Sequence, residues 1–279
     1  MNILFCGDGN IADGVIISVL SLLKNAKGKI NIYLLTATVR YKSTYYKALS
    51  SEFADSLDLL VKEYDGDNSV KLFDISDLFA AEPPRANMET RFTPCCMLRL
   101  YADMVDSLPE RILYLDNDVI CRADPSQFYN SDMKGSAVAG CLDYYGSWFF
   151  KNHLIGRDYL NSGVLLLDLE KIRETGLFRK CRVRCAETEM FMPDQSAINK
   201  LAEKKIIMPR RYNEQRKLHK DTVFQHFTTS FRFFPWLHTV SVKPWNIDGM
   251  HNILKITEYD SILQEYINIK QNFMSKEKA

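Results

Sequence analysis

The chain has 279 residues, of which 46% are apolar and 25% charged, and its formal net charge is +1. This composition is typical of a globular protein, and the near-zero charge gives no overall field that would attract nucleic acid. Seven scattered cysteines predict neither a disulfide framework nor a zinc knuckle, which favours a reducing compartment. No signal-peptide pattern and no apolar run near the ~20 residues of a membrane span are visible. We therefore expect a cytoplasmic protein.

Apolar runs alternate with segments of helical periodicity in the first part of the chain. Strands are predicted at 2–6, 29–35 and 70–75, and helices at 11–23 and 41–64. This order predicts an α/β fold with a mostly parallel central sheet flanked by helices. Residues 77–92, rich in proline and charge, predict a loop, and Pro94 suits the first turn of the helix that follows.

The stretch 111–123, RILYLDNDVICRA, places two carboxylates at the end of a predicted strand. Alternate residues of an extended segment point to the same side, so Asp116 and Asp118 could converge on one hard cation such as Mg²⁺ or Mn²⁺. The alternative is a polar β-turn, in which Asp and Asn are common. The local sequence alone favours the turn.

The second part of the chain continues the pattern. We predict strands at 136–142, 161–169 and 222–227, the last as a core strand, and helices at 170–187, 193–204 and 260–272. Residues 144–159 are aromatic and irregular. No internal repeat or low-complexity linker divides the chain, so we expect a single domain over residues 1–279.

The first predicted strand ends in Gly7-Asp8-Gly9-Asn10-Ile11-Ala12, which formally fits the dinucleotide fingerprint G-x-G-x-x-A. The second strand, however, does not end in the acidic residue that would hold a ribose. Asp8 and Asn10 could still hydrogen-bond a base. A glycine-rich turn in which Asp8 or Asn10 caps a helix explains the motif equally well.

Several motifs in one order resemble glycosyltransferase family 8, which contains retaining galactosyl- and glucosyltransferases of bacterial surface polysaccharides, and glycogenin. The resemblance spans residues 2–245 and implies a GT-A-type nucleotide-binding fold. It further implies a nucleotide-binding half over 1–120, a sugar and acceptor half over 121–245, and a C-terminal helical tail over 246–279. The motifs are FCGDGN, RLYADM, YLDNDVI, YLNSGVLLLDL, MPDQSAIN, VFQHF and KPW.

The resemblance also implies roles for individual residues. Asp116 and Asp118 match the DxD motif that binds Mn²⁺ (or Mg²⁺) on the donor diphosphate. Asp194 and Gln195 match a catalytic pair beneath the transferred sugar. The residues that match donor contacts are Cys6, Asp8 and Asn10 at the uridine, Arg99 at the sugar and phosphates, Lys243 at the diphosphate, and Asn161 and Ser162 at the hexose.

The third metal ligand is where the chain departs from the family pattern, which places a histidine a few residues before KPW. His226 lies at a predicted strand end, but 17 residues before Lys243. His238 has nearly the right spacing but follows the aromatic insertion 230–237. We favour His226, because a strand end is a more rigid platform for a ligand. We interpret the insertion itself as core packing, with an acceptor-binding or membrane-facing surface as the alternative.

Together these features predict a retaining α-glycosyltransferase that moves glucose or galactose from a UDP-hexose to a saccharide or glycolipid, in the cytoplasm or at the inner face of a membrane. Tyr144 and Trp148 are expected to contact the acceptor. Two alternatives stay open: a catalytically silent UDP-sugar-binding module, and a metal-dependent phosphoryl hydrolase, which would need further carboxylates for a second metal.

Overall fold

The computed structural model describes residues 1–90, 93–144, 158–232 and 238–276, without the side chains of 230–232, 238 and 272–276. The strands are β1 (Asn2–Cys6), β2 (Asn31–Thr36), β3 (Val39–Tyr41), β4 (Thr44–Tyr46), β5 (Ser69–Asp74), β6 (Arg111–Leu115), β7 (Val119–Cys121), β8 (Val138–Leu142), β9 (Leu160–Asp168), β10 (Lys205–Ile207), β11 (Phe224–His226), β12 (Ser230–Arg232) and β13 (His238–Val240). The α-helices are Ala12–Asn25, Ser51–Tyr64, Ser76–Ala81, Ser126–Tyr129, Leu169–Thr175, Leu177–Glu187, Pro193–Leu201, Ile247–Gly249 and Asp260–Lys276. The 3₁₀ segments are Gly9–Ile11, Arg85–Asn87, Pro94–Met104 and Arg210–Tyr212, and Met250–Leu254 is a π-helical turn.

Within the described ranges, seven strands form the central sheet in the order β10-β8-β9-β6-β1-β2-β5. The strand β9 runs antiparallel to both of its neighbours, and the other pairings are parallel. This confirms the predicted mostly parallel sheet. Because β9 is reversed, its first residues lie at the sheet edge where β1, β6 and β8 end. Polar residues from all four strands therefore meet at that edge.

Apolar side chains cover both faces of the sheet, as a parallel sheet between helices requires. Along β6, Leu113 and Leu115 pack into one core together with helices Ala12–Asn25 and Ser51–Tyr64. Ile112 and Tyr114 pack into the other core. The period of two in this burial pattern explains why β6 is a continuous apolar run in the sequence.

After the sheet edge, the chain leaves β6 through the turn at Asp116–Val119 and enters β7. That strand pairs with β11 in an antiparallel two-stranded ribbon, with Val119 opposite His226. The predicted strand 222–227 is therefore present in shortened form, but it does not belong to the central sheet. The ribbon register brings a histidine distant in sequence beside the acidic turn.

Three further predictions are wrong in detail. The predicted helix 41–64 begins only after Ser50, whose side chain accepts a hydrogen bond from Phe53 N–H. The tyrosine- and threonine-rich segment before it forms the hairpin β3-β4. The predicted helix 170–187 is divided by Gly176, which has the left-handed φ of 64°. Part of the predicted loop 77–92 belongs to helix Ser76–Ala81.

Candidate active site

The two acidic residues lie in a β-turn directly after β6. Val119 N–H donates to the carbonyl of Asp116 over 3.2 Å, which closes the turn. The two residues therefore lie in a turn and not in the extended conformation assumed in the sequence analysis, and the turn and the convergence of the two carboxylates are not alternatives. The turn is fixed from two sides, because Asp116 N–H donates to Gly163 O over 2.8 Å and Phe227 N–H donates to Asp118 O over 3.0 Å. The turn brings the two carboxylates together.

Asp116, Asp118 and His226 form a group, here called the acidic cluster, that could hold a metal ion. Their ligand atoms all lie within 4.8 Å of one another. His226 Nε2 lies 3.2 Å from Asp118 Oδ1 and 3.6 Å from Asp116 Oδ2. The residues that the structure describes contain one such group of three.

The chemistry of the acidic cluster fits a divalent cation. Asp118 Oδ1 is buried and accepts no hydrogen bond, which is costly unless another partner is present. Burial alone would raise the pKa of Asp118, but the Lys243 ammonium beside it holds that pKa well below its usual range. The carboxylate is therefore ionised. Carboxylate oxygens and a neutral imidazole nitrogen together suit a cation such as Mn²⁺.

Gly163, in β9, leaves the space that the histidine ring fills. A Cβ at this position would lie 2.1 Å from His226 Cε1 and 2.7 Å from Asp116 Oδ2. Both distances are well below van der Waals contact, so any side chain here would displace the ring or the carboxylate. Glycine at this position permits the close approach of β9 to the acidic cluster.

Lys243 reaches the acidic cluster from the C-terminal part of the chain. Its ammonium group pairs with Asp118 Oδ2 and donates to the carbonyl of Phe227 over 2.8 Å. The Lys243 side chain is 30% exposed, whereas that of Asp118 is 10% exposed. The Lys243 side chain is therefore more accessible to solvent than the carboxylate that it pairs with.

Arg99, in the 3₁₀ segment Pro94–Met104, connects the acidic cluster with the start of β9. Its guanidinium donates to Asp116 Oδ1 over 2.9 Å and to the carbonyl of Ser162 over 2.6 Å. It also lies 3.2 Å from Asp194 Oδ2 and 4.1 Å from the centroid of the Tyr114 ring. This buried cation holds two carboxylates from distant parts of the chain at a fixed separation.

A second group of buried polar residues, here called the β9 cluster, consists of Asp143, Ser162, Asp194 and Gln195. Ser162 N–H donates to Gln195 Oε1 over 2.9 Å, and Gln195 Nε2 donates to Asp143 Oδ2 over 2.6 Å. Because a backbone N–H can only donate, these contacts fix which way the Gln195 amide points. Ser162 Oγ donates to Asp194 Oδ2 over 3.2 Å. Burial raises the pKa of Asp194 despite the nearby Arg99.

The glycine-rich turn lies at the same edge of the sheet, because β1 is parallel to β6 and adjacent to it. Asp8 Oδ1 accepts a hydrogen bond from Asn10 N–H over 2.8 Å, so the helix-capping role considered for Asp8 is present. Asp8 is buried and Asn10 is exposed. Burial raises the pKa of Cys6, the last residue of β1, so its thiol is neutral.

Comparison with known proteins identifies the family to which the chain belongs. The sequence model of the family described as Glycosyl transferase family 8 matches residues 2–249. The chain belongs to this family. The resemblance inferred from the motifs is thereby confirmed.

Curated relatives of this family 8 chain come from bacteria and plants. The lipopolysaccharide 1,2-glucosyltransferase of Escherichia coli K12 is 26% identical over 88% of this chain and 73% of its own length. A provisionally described glycosyltransferase of Haemophilus influenzae is 29% identical over 64% of this chain. The matched region spans only 52% of that protein.

Solved structures of low sequence identity share the fold. The galactosyltransferase LgtC, solved in complex with donor and acceptor sugar analogs, superimposes with a TM-score of 0.69 at 18% identity, covering 96% of each chain. GlyE of Streptococcus pneumoniae TIGR4 superimposes with a TM-score of 0.62 at 17% identity, covering 96% of this chain and 64% of GlyE. These similarities confirm the GT-A-type fold. No helix in the described ranges is both long and apolar enough to cross a membrane.

The structure of this family 8 chain brings most of the predicted site residues to one sheet edge. Lys243 joins the acidic cluster, and Arg99 joins that cluster to the β9 cluster. Asn161 contacts the β9 backbone at Gly163 N–H over 3.0 Å. His238 begins β13, but its side chain, like Trp148 and residues 233–237 of the aromatic insertion, lies outside the described part of the chain.

Sequence reasoning missed three residues of the site in this family 8 chain. Asp143 follows β8 directly, so the strand-end rule that singled out Asp116 could also have identified it. Tyr114 donates to Asp116 Oδ1 from within β6, where it has the appearance of an ordinary core residue. Asn213 contacts both His226 and Asn161, and no motif marks it. Such contacts depend on the folded arrangement of distant segments.

Proposed function

We propose that the chain is a divalent-cation-dependent glycosyltransferase that moves glucose or galactose from a UDP-hexose to a saccharide or glycolipid acceptor. The observation that carries this proposal is the acidic cluster, in which a buried and ionised carboxylate lacks a hydrogen bond at Oδ1 while a lysine pairs with its other oxygen. Family membership supports the reaction class. The lipopolysaccharide glucosyltransferase among the relatives supports an acceptor of the bacterial-surface type.

Asp116, Asp118 and His226 are the residues that would hold Mn²⁺ or Mg²⁺. When bound, the cation supplies positive charge that neutralises the leaving diphosphate. Lys243 supplies a further positive charge next to Asp118, and it is the residue we assign to the phosphates. Arg99 is committed to two carboxylates, so its contribution is to position them around the donor.

The uridine is assigned to the end of β1. Asp8 and Asn10 offer hydrogen-bonding groups there. The neutral Cys6 thiol would line the base pocket without adding a charge. Strand adjacency between β1 and β6 supports one continuous donor site from the base to the diphosphate. We accordingly assign nucleotide binding to residues 1–120, sugar and acceptor binding to 121–245, and a helical tail to 246–279.

The hexose is assigned to Asn161, Ser162, Asp194 and Gln195. Positive charge develops at the anomeric carbon as the diphosphate leaves, so neutral and anionic oxygens favour that state. The Gln195 oxygen is a weak nucleophile, and Ser162 N–H already occupies it over 2.9 Å. We therefore propose retention through same-face attack, in which the acceptor hydroxyl passes its proton to the leaving phosphate oxygen.

Product stereochemistry and covalent trapping test this mechanism. Proton NMR of the first product formed from a UDP-α-hexose is expected to show an α-linkage. Mass spectrometry with a slow donor is expected to find unmodified protein. A hexosyl group attached to a carboxylate such as Asp143 or Asp194 would contradict same-face attack and support a covalent intermediate.

Donor binding and turnover test the proposed function as a whole. A UDP-hexose that binds the native state with Mn²⁺ raises the midpoint of thermal unfolding, so UDP-glucose and UDP-galactose are compared first. Release of UDP is then measured for the wild type and Asp116→Ala, and only the wild type is expected to release UDP. Full activity of the variant would disprove the metal assignment. Stabilisation without UDP release would support a silent binding module, and release of inorganic phosphate would support a hydrolase.

A further inference from the structure

Asn213 lies between the start of β9 and the histidine of the acidic cluster. Its side chain is fully buried. The amide nitrogen donates to Asn161 Oδ1 over 2.9 Å, and the amide oxygen lies 3.1 Å from His226 Nδ1. Asn161 Oδ1 also accepts from Gly163 N–H over 3.0 Å. These contacts form one chain of hydrogen bonds from the backbone of β9 to the imidazole.

The backbone amide at one end sets the direction of every bond in this chain. Gly163 N–H can only donate, so the atom of Asn161 that faces it must be the carbonyl oxygen. That oxygen can only accept, so Asn213 presents its NH₂ group to Asn161. The oxygen of Asn213 then faces His226 Nδ1. This contact is a hydrogen bond only if Nδ1 carries the proton.

In the neutral ring, the proton on Nδ1 determines the protonation state of Nε2, the other ring nitrogen of His226. In a neutral imidazole protonated at Nδ1, Nε2 carries a lone pair instead of a proton, and it lies 3.2 Å from Asp118 Oδ1 and 3.6 Å from Asp116 Oδ2. Three electron-rich atoms then face one another with no proton between them, which is favourable when a cation lies there. The Nδ1 proton is required equally in the imidazolium form.

We propose that Asn213 is a positioning residue, which fixes the His226 ring so that Nε2 faces the cation site. This inference rests on the proposed function, because it assigns a partner to one of the proposed metal ligands. It goes beyond that function by predicting that an amide outside the ligand set controls cation affinity through its hydrogen bond to Nδ1.

Three substitutions separate this role from simple packing. Asn213→Leu keeps the approximate volume but removes both hydrogen bonds. Asn213→Asp keeps an acceptor for His226 Nδ1 and loses the donor to Asn161. The matched control is Asn68→Leu: Asn68 is also buried, but its amide contacts Ile30 N–H and Val61 O in the opposite part of the sheet.

Mn²⁺ affinity is measured by electron paramagnetic resonance, without any donor or acceptor. Loss of a hydrogen-bonded partner of a ligating histidine typically costs ~10- to 100-fold in metal affinity. We expect at least about a tenfold loss for Asn213→Leu, a loss under about threefold for Asn213→Asp, and none for Asn68→Leu. Unchanged affinity in Asn213→Leu, or an equal loss in both Asn213 variants, would overturn the proposal.

The metal-free wild type provides a test that needs no variant to fold. Nitrogen-15 NMR of the imidazole at mildly alkaline pH, assigned with His226→Gln, is expected to show the proton of His226 on Nδ1. A proton on Nε2 alone would overturn the proposal. If the wild type binds no Mn²⁺ while Nδ1 carries the proton, the proposed function loses its cation site and the positioning of His226 by Asn213 still stands.

Discussion

The two polar clusters at the sheet edge differ in how completely their polar atoms are hydrogen-bonded within the protein. In the β9 cluster, each polar group has a partner within the protein: Gln195 bridges Ser162 and Asp143, and Asp194 faces Arg99. In the acidic cluster, Asp118 Oδ1 is buried without a hydrogen bond and faces a ring nitrogen. The polar groups of the β9 cluster are satisfied within the protein, whereas the acidic cluster has a carboxylate oxygen that a bound cation would satisfy.

This difference indicates how the proposed reaction is divided between the clusters. A site that is already satisfied can present fixed dipoles to a neutral sugar without rearranging. A site with a buried carboxylate oxygen that accepts no hydrogen bond gains from a divalent cation, which in turn binds an anionic diphosphate. Arg99 contacts both clusters, so it helps to fix the distance between them.

The largest effect is expected for Asp118→Asn, which removes the negative charge from the acidic cluster while keeping its shape. Donor turnover should fall at least about 1000-fold, because several kcal/mol of charge stabilisation in the transition state are lost. UDP release from a UDP-hexose measures this loss. Turnover within about tenfold of the wild type would mean that the cluster does not hold the leaving group.

Gly163→Ala tests the geometry of the acidic cluster with its charges unchanged. The added methyl group would meet His226 Cε1 at 2.1 Å, and a ring displaced by about 1 Å can cost roughly 100-fold in rate. Gly66→Ala is the matched control, because no atom lies within 4 Å of its Cβ position. Equal turnover in the two variants would contradict a catalytic role for the His226 position.

Arg99→Lys tests the connection between the clusters. Lysine keeps the charge but cannot reach Asp116, Ser162 O and Asp194 together, so turnover should fall roughly 30-fold, an intermediate effect for lost positioning. Arg182→Lys is the control, since Arg182 is likewise buried but pairs with Asp103 and Glu82 outside both clusters. The control should lose stability by about 2 kcal/mol in chemical denaturation and keep its turnover. A similar drop in turnover for both would indicate a general packing defect.

The smallest effect is expected for Asp143→Asn in the β9 cluster. The change removes one buried negative charge near the proposed hexose position, which we expect to cost about tenfold in turnover, or ~1.4 kcal/mol. Donor affinity, followed by thermal stabilisation with UDP-hexose, should change little. A loss as large as that of Asp118→Asn would show that the β9 cluster also acts through charge, and would support Asp143 as a nucleophile.

The fold and many residues of the candidate site could be predicted from the sequence where the signal is local. The order of strands and helices followed from periodicity, and Asp116 and Asp118 were visible because they directly follow an apolar run. The hairpin β3-β4 was missed because helical spacing was extended backwards past the cap at Ser50. Asn213 could not be predicted, because its role depends on a contact with Asn161, 52 residues away in sequence.

The central claim is that the acidic cluster binds a divalent cation, and that this cation binds the diphosphate of a UDP-sugar. Titration of the wild type with Mn²⁺, followed by electron paramagnetic resonance with and without UDP, tests it most directly. We predict one Mn²⁺ per chain, bound more tightly when UDP is present and lost in Asp118→Asn. Mn²⁺ binding that is absent, or that Asp118→Asn and UDP leave unchanged, would contradict the account.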